Sequence, residues 1–201
     1  MTTLLFPHAL IATNPEALEA IRDPDMSIAI WERGAPEAIR HMLSPDLQSV
    51  RFSADRFEMP LALTRALETA RYPLSGARAA LEADIVDLAR RFAAIMRVDT
   101  VDIRLDRITG DACRNFHADY VTARLITTYA GRGTQWLEAS TNEACDCGDP
   151  HDVREMRAGD VAIFKGRHWN EDRAAIHRSP PIAGSGEQRL LLVINPVDQP
   201  D

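Results

Sequence analysis

The chain has 201 residues, 45% of them hydrophobic and 26% charged, which is the composition of a globular domain able to bury roughly two thirds of its unfolded surface without a disulfide or metal staple. Thirty acidic residues against twenty-three Lys and Arg give a formal charge of −7, which removes the broad attraction to phosphate backbones that a nucleic-acid-binding module uses. Three cysteines are too few for a disulfide framework, no apolar run approaches the roughly 20 residues of a membrane span, and Met1-Thr2-Thr3-Leu4-Leu5-Phe6-Pro7 lacks the basic start of a secretory signal, so the expected location is the cytoplasm.

In chain order, Thr13-Asn14-Pro15-Glu16 combines cap residues with an early proline and predicts a short helix over 13–22 that carries Leu18 and Ile21. Ser27-Ile28-Ala29-Ile30-Trp31 reads as a strand. Gly34-Ala35-Pro36-Glu37 then opens a second helix through Leu43, and residues 44–60, with Pro45 and Pro60, give no readable element. The clearest helix covers 78–97, where Leu81, Ile85, Leu88, Phe92 and Ile95 recur at four, three, four and three and form one apolar face packed on a sheet.

From residue 99 the period becomes two. Val101, Ile103 and Leu105 alternate with Asp102, Arg104 and Asp106, the pattern of a half-buried strand. Further strands are predicted at 121–129, 134–137, 160–165 and 189–194, with 138–158 as a long loop. Turns at Gly131-Arg132-Gly133, Ala158-Gly159 and Gly184-Ser185-Gly186 separate them. Short strands with Gly-rich turns and no intervening helices favour a sandwich or jelly roll over a parallel sheet. The expectation is therefore an α+β chain. Residues 1–98 form a mainly helical support region with a short strand, residues 99–201 form the β core, and both share one integrated domain.

The chemistry lies in the second half. In an extended segment the side chains of His117 and Asp119 point to one face. His177 follows sixty positions later. Two imidazoles and a carboxylate can cap one face of an octahedral metal ion and leave the opposite positions open, an arrangement suited to Fe(II). Arg189 opens the very apolar run Leu190-Leu191-Leu192-Val193-Ile194. A guanidinium in a buried strand demands an anion, either an internal acid or a dicarboxylic cosubstrate matched to its planar fork. Lys165, alternating with Val161 and Ile163, is the rival anion-binding cation or else a solvated strand end. Arg124 reads as structural. Trp136 and Trp169 either contact a substrate or anchor their loops.

The order of these parts resembles the prolyl-hydroxylase-like oxygenases that depend on 2-oxoglutarate and Fe(II). It is carried by His117-x-Asp119, the strand ending Thr127-Thr128-Tyr129, Gly133-Thr134-Gln135-Trp136, Ala158-Gly159-Asp160-Val161-Ala162-Ile163-Phe164, His177 and Arg189. Three further segments make the chain similar to the bacterial domain-of-unknown-function family 1826, which brings no substrate. They are Gly110-Asp111-Ala112-Cys113-Arg114-x-Phe116-His117-x-Asp119, Phe164-Lys165-Gly166 and His177-Arg178-Ser179-Pro180-Pro181.

The resemblance implies a double-stranded β-helix in the C-terminal half, packed by the N-terminal helices. His117, Asp119 and His177 would hold the iron, and Arg189 would grip the distal carboxylate of 2-oxoglutarate. Tyr129 and Thr127, on the strand after the His-x-Asp motif, would add cosubstrate contacts. Decarboxylation of 2-oxoglutarate to succinate would be coupled to hydroxylation of a substrate. Many members carry Ser or Thr two residues after the arginine, where this chain has Leu191.

Cys145-Asp146-Cys147-Gly148-Asp149-Pro150-His151 is a second cluster. Cys145, Cys147 and His151 suit zinc, with a fourth ligand drawn from Cys113, His168 or an acid. The same residues also suit a reduced cytosolic loop. Two function classes therefore stand beside the oxygenase. One is a metal-binding β-helix protein without turnover, in metal handling with iron or zinc; the other is a degenerate binding scaffold. The zinc-deaminase and His-Glu-x-x-His patterns are missing, as is the Gly-x-Ser-x-Gly elbow of serine hydrolases. The sequence names neither the substrate nor the oligomeric state.

Overall fold

The computed structural model describes residues 3–138 and 153–197. Strands β1 (Thr3–Leu5) and β2 (Ala9–Ala12) lead through a 3-10 segment, Pro15–Arg22, to strand β3 (Ile28–Trp31). Helix α1 (Glu37–Arg40), strand β4 (Val50–Asp55) and helices α2 (Met59–Thr69) and α3 (Gly76–Met96) follow. Then come strands β5 (Thr100–Ile108), β6 (Ala123–Ala130), β7 (Gln135–Leu137), β8 (Val153–Glu155), β9 (Val161–Lys165), β10 (His177–Arg178) and β11 (Arg189–Pro196).

The result is a mixed α/β fold dominated by one sheet of eight strands, in the order β1-β2-β3-β9-β6-β11-β5-β4, with a three-stranded sheet β10-β7-β8 beside it. Neighbours in the large sheet run antiparallel except β2 and β3, which are parallel and joined by the 3-10 crossover. The large sheet has a core on each face. Leu125 and Tyr129 of β6, Val161 and Ile163 of β9, Leu190, Leu192 and Ile194 of β11, and Val101, Ile103 and Leu105 of β5 face the helices. Ile126, Ala162, Phe164, Leu191 and Val193 face the other way, with Ile28 and Ile30 of β3, and pack with Trp136 of the small sheet. Burial on both faces makes β6, β9 and β11 read as apolar runs, whereas β5 alternates because its second face is polar.

Helix α3 buries Leu81, Ile85, Leu88 and Phe92 completely. The Ser75 side chain accepts from the Arg78 amide at its start, and Arg97 in the left-handed conformation ends it. Arg78 is itself buried; it pairs with Glu82 and donates to the carbonyls of Tyr72 and Thr64, fastening α3 to the end of α2.

Several elements differ from the sequence expectation. The helix expected over 13–22 is the 3-10 segment Pro15–Arg22, capped by Asn14 through the Ala17 amide. Leu18 and Ile21, three apart and both fully buried, suit a helix with three residues per turn. The unreadable stretch 44–60 holds β4 and the start of α2. As an edge strand paired only to β5, β4 leaves Arg51, Ser53 and Asp55 unburied, so its pattern is weak. In α2, Met59, Leu63 and Leu67 are buried at intervals of four, with Pro60 in the first turn where it costs no hydrogen bond. The predicted helical support over 1–98 thus contributes β1, β2, β3 and β4 to the large sheet. Within the expected loop 138–158, residues 153–155 form β8. No helix among the described residues is long and apolar enough to cross a membrane.

Candidate metal centre

His117 and His177 form one antiparallel rung. Each donates its backbone N–H to the other's carbonyl at 3.0 Å, which sets the two imidazoles side by side with centroids 4.9 Å apart. Asp119, two residues beyond His117, turns its carboxylate to the same point. Its Oδ1 lies 3.6 Å from His117 Nε2 and its Oδ2 lies 3.2 Å from His177 Nε2. One ligand atom from each of His117, Asp119 and His177 falls within 4.8 Å of the others. His177 is buried and stacks at 4.7 Å on Phe164 of the inner sheet face.

The donor atoms are presented correctly for a metal. His117 Nδ1 sits 2.9 Å from the carbonyl oxygen of Asn115, and His177 Nδ1 sits 3.2 Å from that of Ala175. A carbonyl only accepts, so each Nδ1 is the donor on that side and each Nε2 is turned into the cluster. There it donates to Asp119 when the ring is protonated and presents a lone pair, as in metal-bound histidines, when the ring is neutral. Burial opposes ionisation of Asp119, but the bonds from His117 and His177 and the charge of Arg124 outweigh it and hold the carboxyl well below the usual range. The bond to Asp119 pushes His117 up against the opposing effect of burial. The segment after β9 is zipped to this loop. Arg167 N donates to the Asp119 carbonyl, and Gly166 passes so close that a Cβ there would lie 1.9 Å from the Val121 oxygen.

Arg189 is fully buried, on the face of β11 that also carries Leu191 and Val193. Its Nε donates to the Arg132 carbonyl at 2.7 Å and its Nη2 to Thr128 Oγ1 at 3.3 Å. Nη1 is buried without a partner, and among the described residues no ion pair involves this guanidinium. Burial lowers its pKa to about 10, with Glu155 acting in the opposite sense from a distance, so it remains charged at neutral pH. The turn beside it needs glycine. Gly131 has φ +82, and a Cβ there would come within 2.2 Å of the Gln188 oxygen and 3.0 Å of Arg189 Cγ.

Other candidates belong neither to the His117, Asp119 and His177 cluster nor to the surroundings of Arg189. Tyr129 and Thr127 lie on the helix-facing side of β6. The Tyr129 hydroxyl donates to Asp84 Oδ2 at 2.7 Å, and Asp84 is also held bidentately by Arg33. Lys165 is neither exposed nor in the cluster; its Nζ donates to the Asp23 carbonyl and lies 5.0 Å from the ring centre of Trp169, which is itself packed on the helix-side core. Trp136 is buried between the sheets, edge-on to Phe6. Cys145, Cys147 and His151 lie outside the described residues. Sequence reading missed Thr128, which the parity of Arg124, Ile126 and Thr128 places on the inner face. It also missed the link from Arg124 to Asp119, whose signal was a charge in a strand buried on both sides.

A family model described as a protein of unknown function, DUF1826, matches residues 12–195. The chain belongs to that family. No curated protein matches the DUF1826 chain in sequence. Among solved structures, it is similar to a prolyl-4-hydroxylase from Pseudomonas putida at 8% identity and a TM-score of 0.47, over 92% of this chain and 98% of that one. It is also similar to AviO1 from Streptomyces viridochromogenes (16%, 0.45, over 93% and 96%). A third similarity is to the dioxygenase for auxin oxidation 1 of Arabidopsis thaliana in its 2-oxoglutarate complex (11%, 0.45, over 81% and 67%). These are likenesses of chain course, and the chemistry of the DUF1826 chain is read from its own side chains.

Proposed function

We propose that this protein is an Fe(II)- and 2-oxoglutarate-dependent oxygenase of the hydroxylase type, with its two sheets forming a double-stranded β-helix. His117, Asp119 and His177 hold the metal, as two imidazole nitrogens and a carboxylate that leave the remaining positions open. The observation that carries the cosubstrate is Arg189. It is buried on the inner face with a free Nη1 and no internal carboxylate partner among the described residues, so a dicarboxylic acid satisfies it.

In this reading Arg189 takes the distal carboxylate, and Thr128, already bonded to its Nη2, adds a hydroxyl donor beside it. The Arg132 carbonyl fixes the plane of the guanidinium. Phe164 packs against His177 and keeps water from that side of the cluster. The bound metal supplies the activation of dioxygen that couples 2-oxoglutarate decarboxylation to substrate oxidation, while the chain contributes orientation and water exclusion.

The test is anaerobic addition of Fe(II) and 2-oxoglutarate to the purified protein. The reading requires the visible charge-transfer absorption of a metal-chelated keto acid. Metal uptake without that band indicates the alternative class, a metal-binding protein of this fold without turnover.

A further inference from the structure

Asp119 offers two oxygens, and they are treated differently. Oδ2 lies 2.7 Å from Nη1 of Arg124 as well as 3.2 Å from His177 Nε2, whereas Oδ1, 3.6 Å from His117 Nε2, has no guanidinium against it. Arg124 stands on the inner face of β6 and donates its Nε at 2.8 Å to Oδ1 of Asn195 on the neighbouring strand β11. The guanidinium is thus held at one end by an amide and applied at the other to a carboxylate, a geometry that a planar fork provides and a single ammonium cannot. Its side chain is 19% exposed and that of Asp119 13%, so solvent screens the pair little.

We propose that Arg124, anchored by Asn195, is a positioning residue that occupies one oxygen of Asp119 and turns the other toward the metal. The proposal rests on the metal-centre reading above. It makes a prediction opposite in sign to simple electrostatics. A positive charge this close repels a divalent cation, so if Arg124 acted by charge alone, its removal would tighten metal binding. A group that orients a ligand strengthens binding, and its removal weakens it.

Three variants separate these effects. Asn195→Ala keeps the charge and frees the fork, Arg124→Lys keeps the charge and loses the two-ended grip, and Arg124→Met removes both. Each full-length, chelator-treated protein is titrated with Co(II) and followed by its visible spectrum, with a melt of the metal-free protein to identify any variant that fails to fold. Asn195→Ala and Arg124→Lys should bind Co(II) about 10–100-fold more weakly, with an altered visible spectrum and near wild-type melting. Unchanged affinity and spectrum in Asn195→Ala, or tighter binding by Arg124→Met, overturns the proposal. If Arg124→Met does not fold, the other two variants decide. If the wild-type chain takes up no Co(II), the metal-centre reading fails and this inference with it. If wild type and Asn195→Ala bind equally, this inference fails alone.

Discussion

His117 and His177, sixty residues apart in the chain, are joined by two reciprocal backbone hydrogen bonds of 3.0 Å. The rung uses no side-chain atom, so the imidazoles are placed by the backbone and remain free to ligate. Substituting either should therefore spare the fold. His117→Ala is expected to melt, metal-free, within about 1 kcal/mol of wild type, and His177→Ala, which also removes the packing on Phe164, to lose about 1–3 kcal/mol while still folding. Metal should raise the melting temperature of wild type through mass action and leave both variants unmoved. Thermal melts with and without Co(II) check this.

Arg189 tests the cosubstrate. A buried cation without an ionic partner costs desolvation and returns little, so an apolar replacement of similar length is near neutral or stabilising in the ligand-free protein. Arg189→Met should retain or gain stability and still bind metal. Its 2-oxoglutarate affinity should fall by about 2–5 kcal/mol, at least about thirtyfold. Equal 2-oxoglutarate binding by wild type and Arg189→Met, measured calorimetrically in the presence of metal, contradicts the assigned role.

Tyr129 and Thr128 are adjacent but serve opposite faces of β6, and the pair separates structure from ligand binding. Tyr129→Phe removes the hydroxyl that donates to the Asp84 carboxylate beneath α3. It should lower stability by about 1–3 kcal/mol, the range for a hydrogen bond to a charged group, with 2-oxoglutarate binding unchanged. Thr128→Val removes the hydroxyl against Arg189 and should weaken 2-oxoglutarate binding with a smaller effect on melting. Urea unfolding and ligand titration of the two variants measure the contrast.

What the sequence revealed follows from where burial is one-sided. β5 and α3 each present one apolar and one polar face, and both were legible. β6 and β11 are buried on both sides, so their existence was plain but their parity was not. Thr127 and Tyr129, expected from the resemblance to contact the cosubstrate, stand on the parity opposite to Thr128, with Tyr129 in the helix-side core. The His117, Asp119 and His177 cluster was legible because its spacing constrains it: two residues in an extended segment share a face, and a third histidine ends a loop. β4 stayed hidden because an edge strand with one solvated side has little to bury. β1 and β2 are short, and β1 is wholly exposed, so neither gave a pattern.

The two protonation states of His117 make the pH responses of the metal-free and metal-loaded protein opposite in sign. In the metal-free protein the bond to Asp119 raises the His117 pKa above its ordinary 6.5. A group raised on folding contributes stability that is fully present below the unfolded value and is lost as pH rises through the folded one. Metal-free stability should therefore decline as pH is raised from about 6.5 through that higher value. The Asp119 contribution, from a depressed carboxyl, changes only below the unfolded carboxylate value near 3.8 and does not interfere. A metal requires the neutral imidazole and displaces the proton, so Co(II) affinity should rise over the same interval, accompanied by proton release. Paired melts across this range, with chelator in one series and Co(II) in the other, should diverge as pH increases. Parallel curves would show that His117 does not ligate.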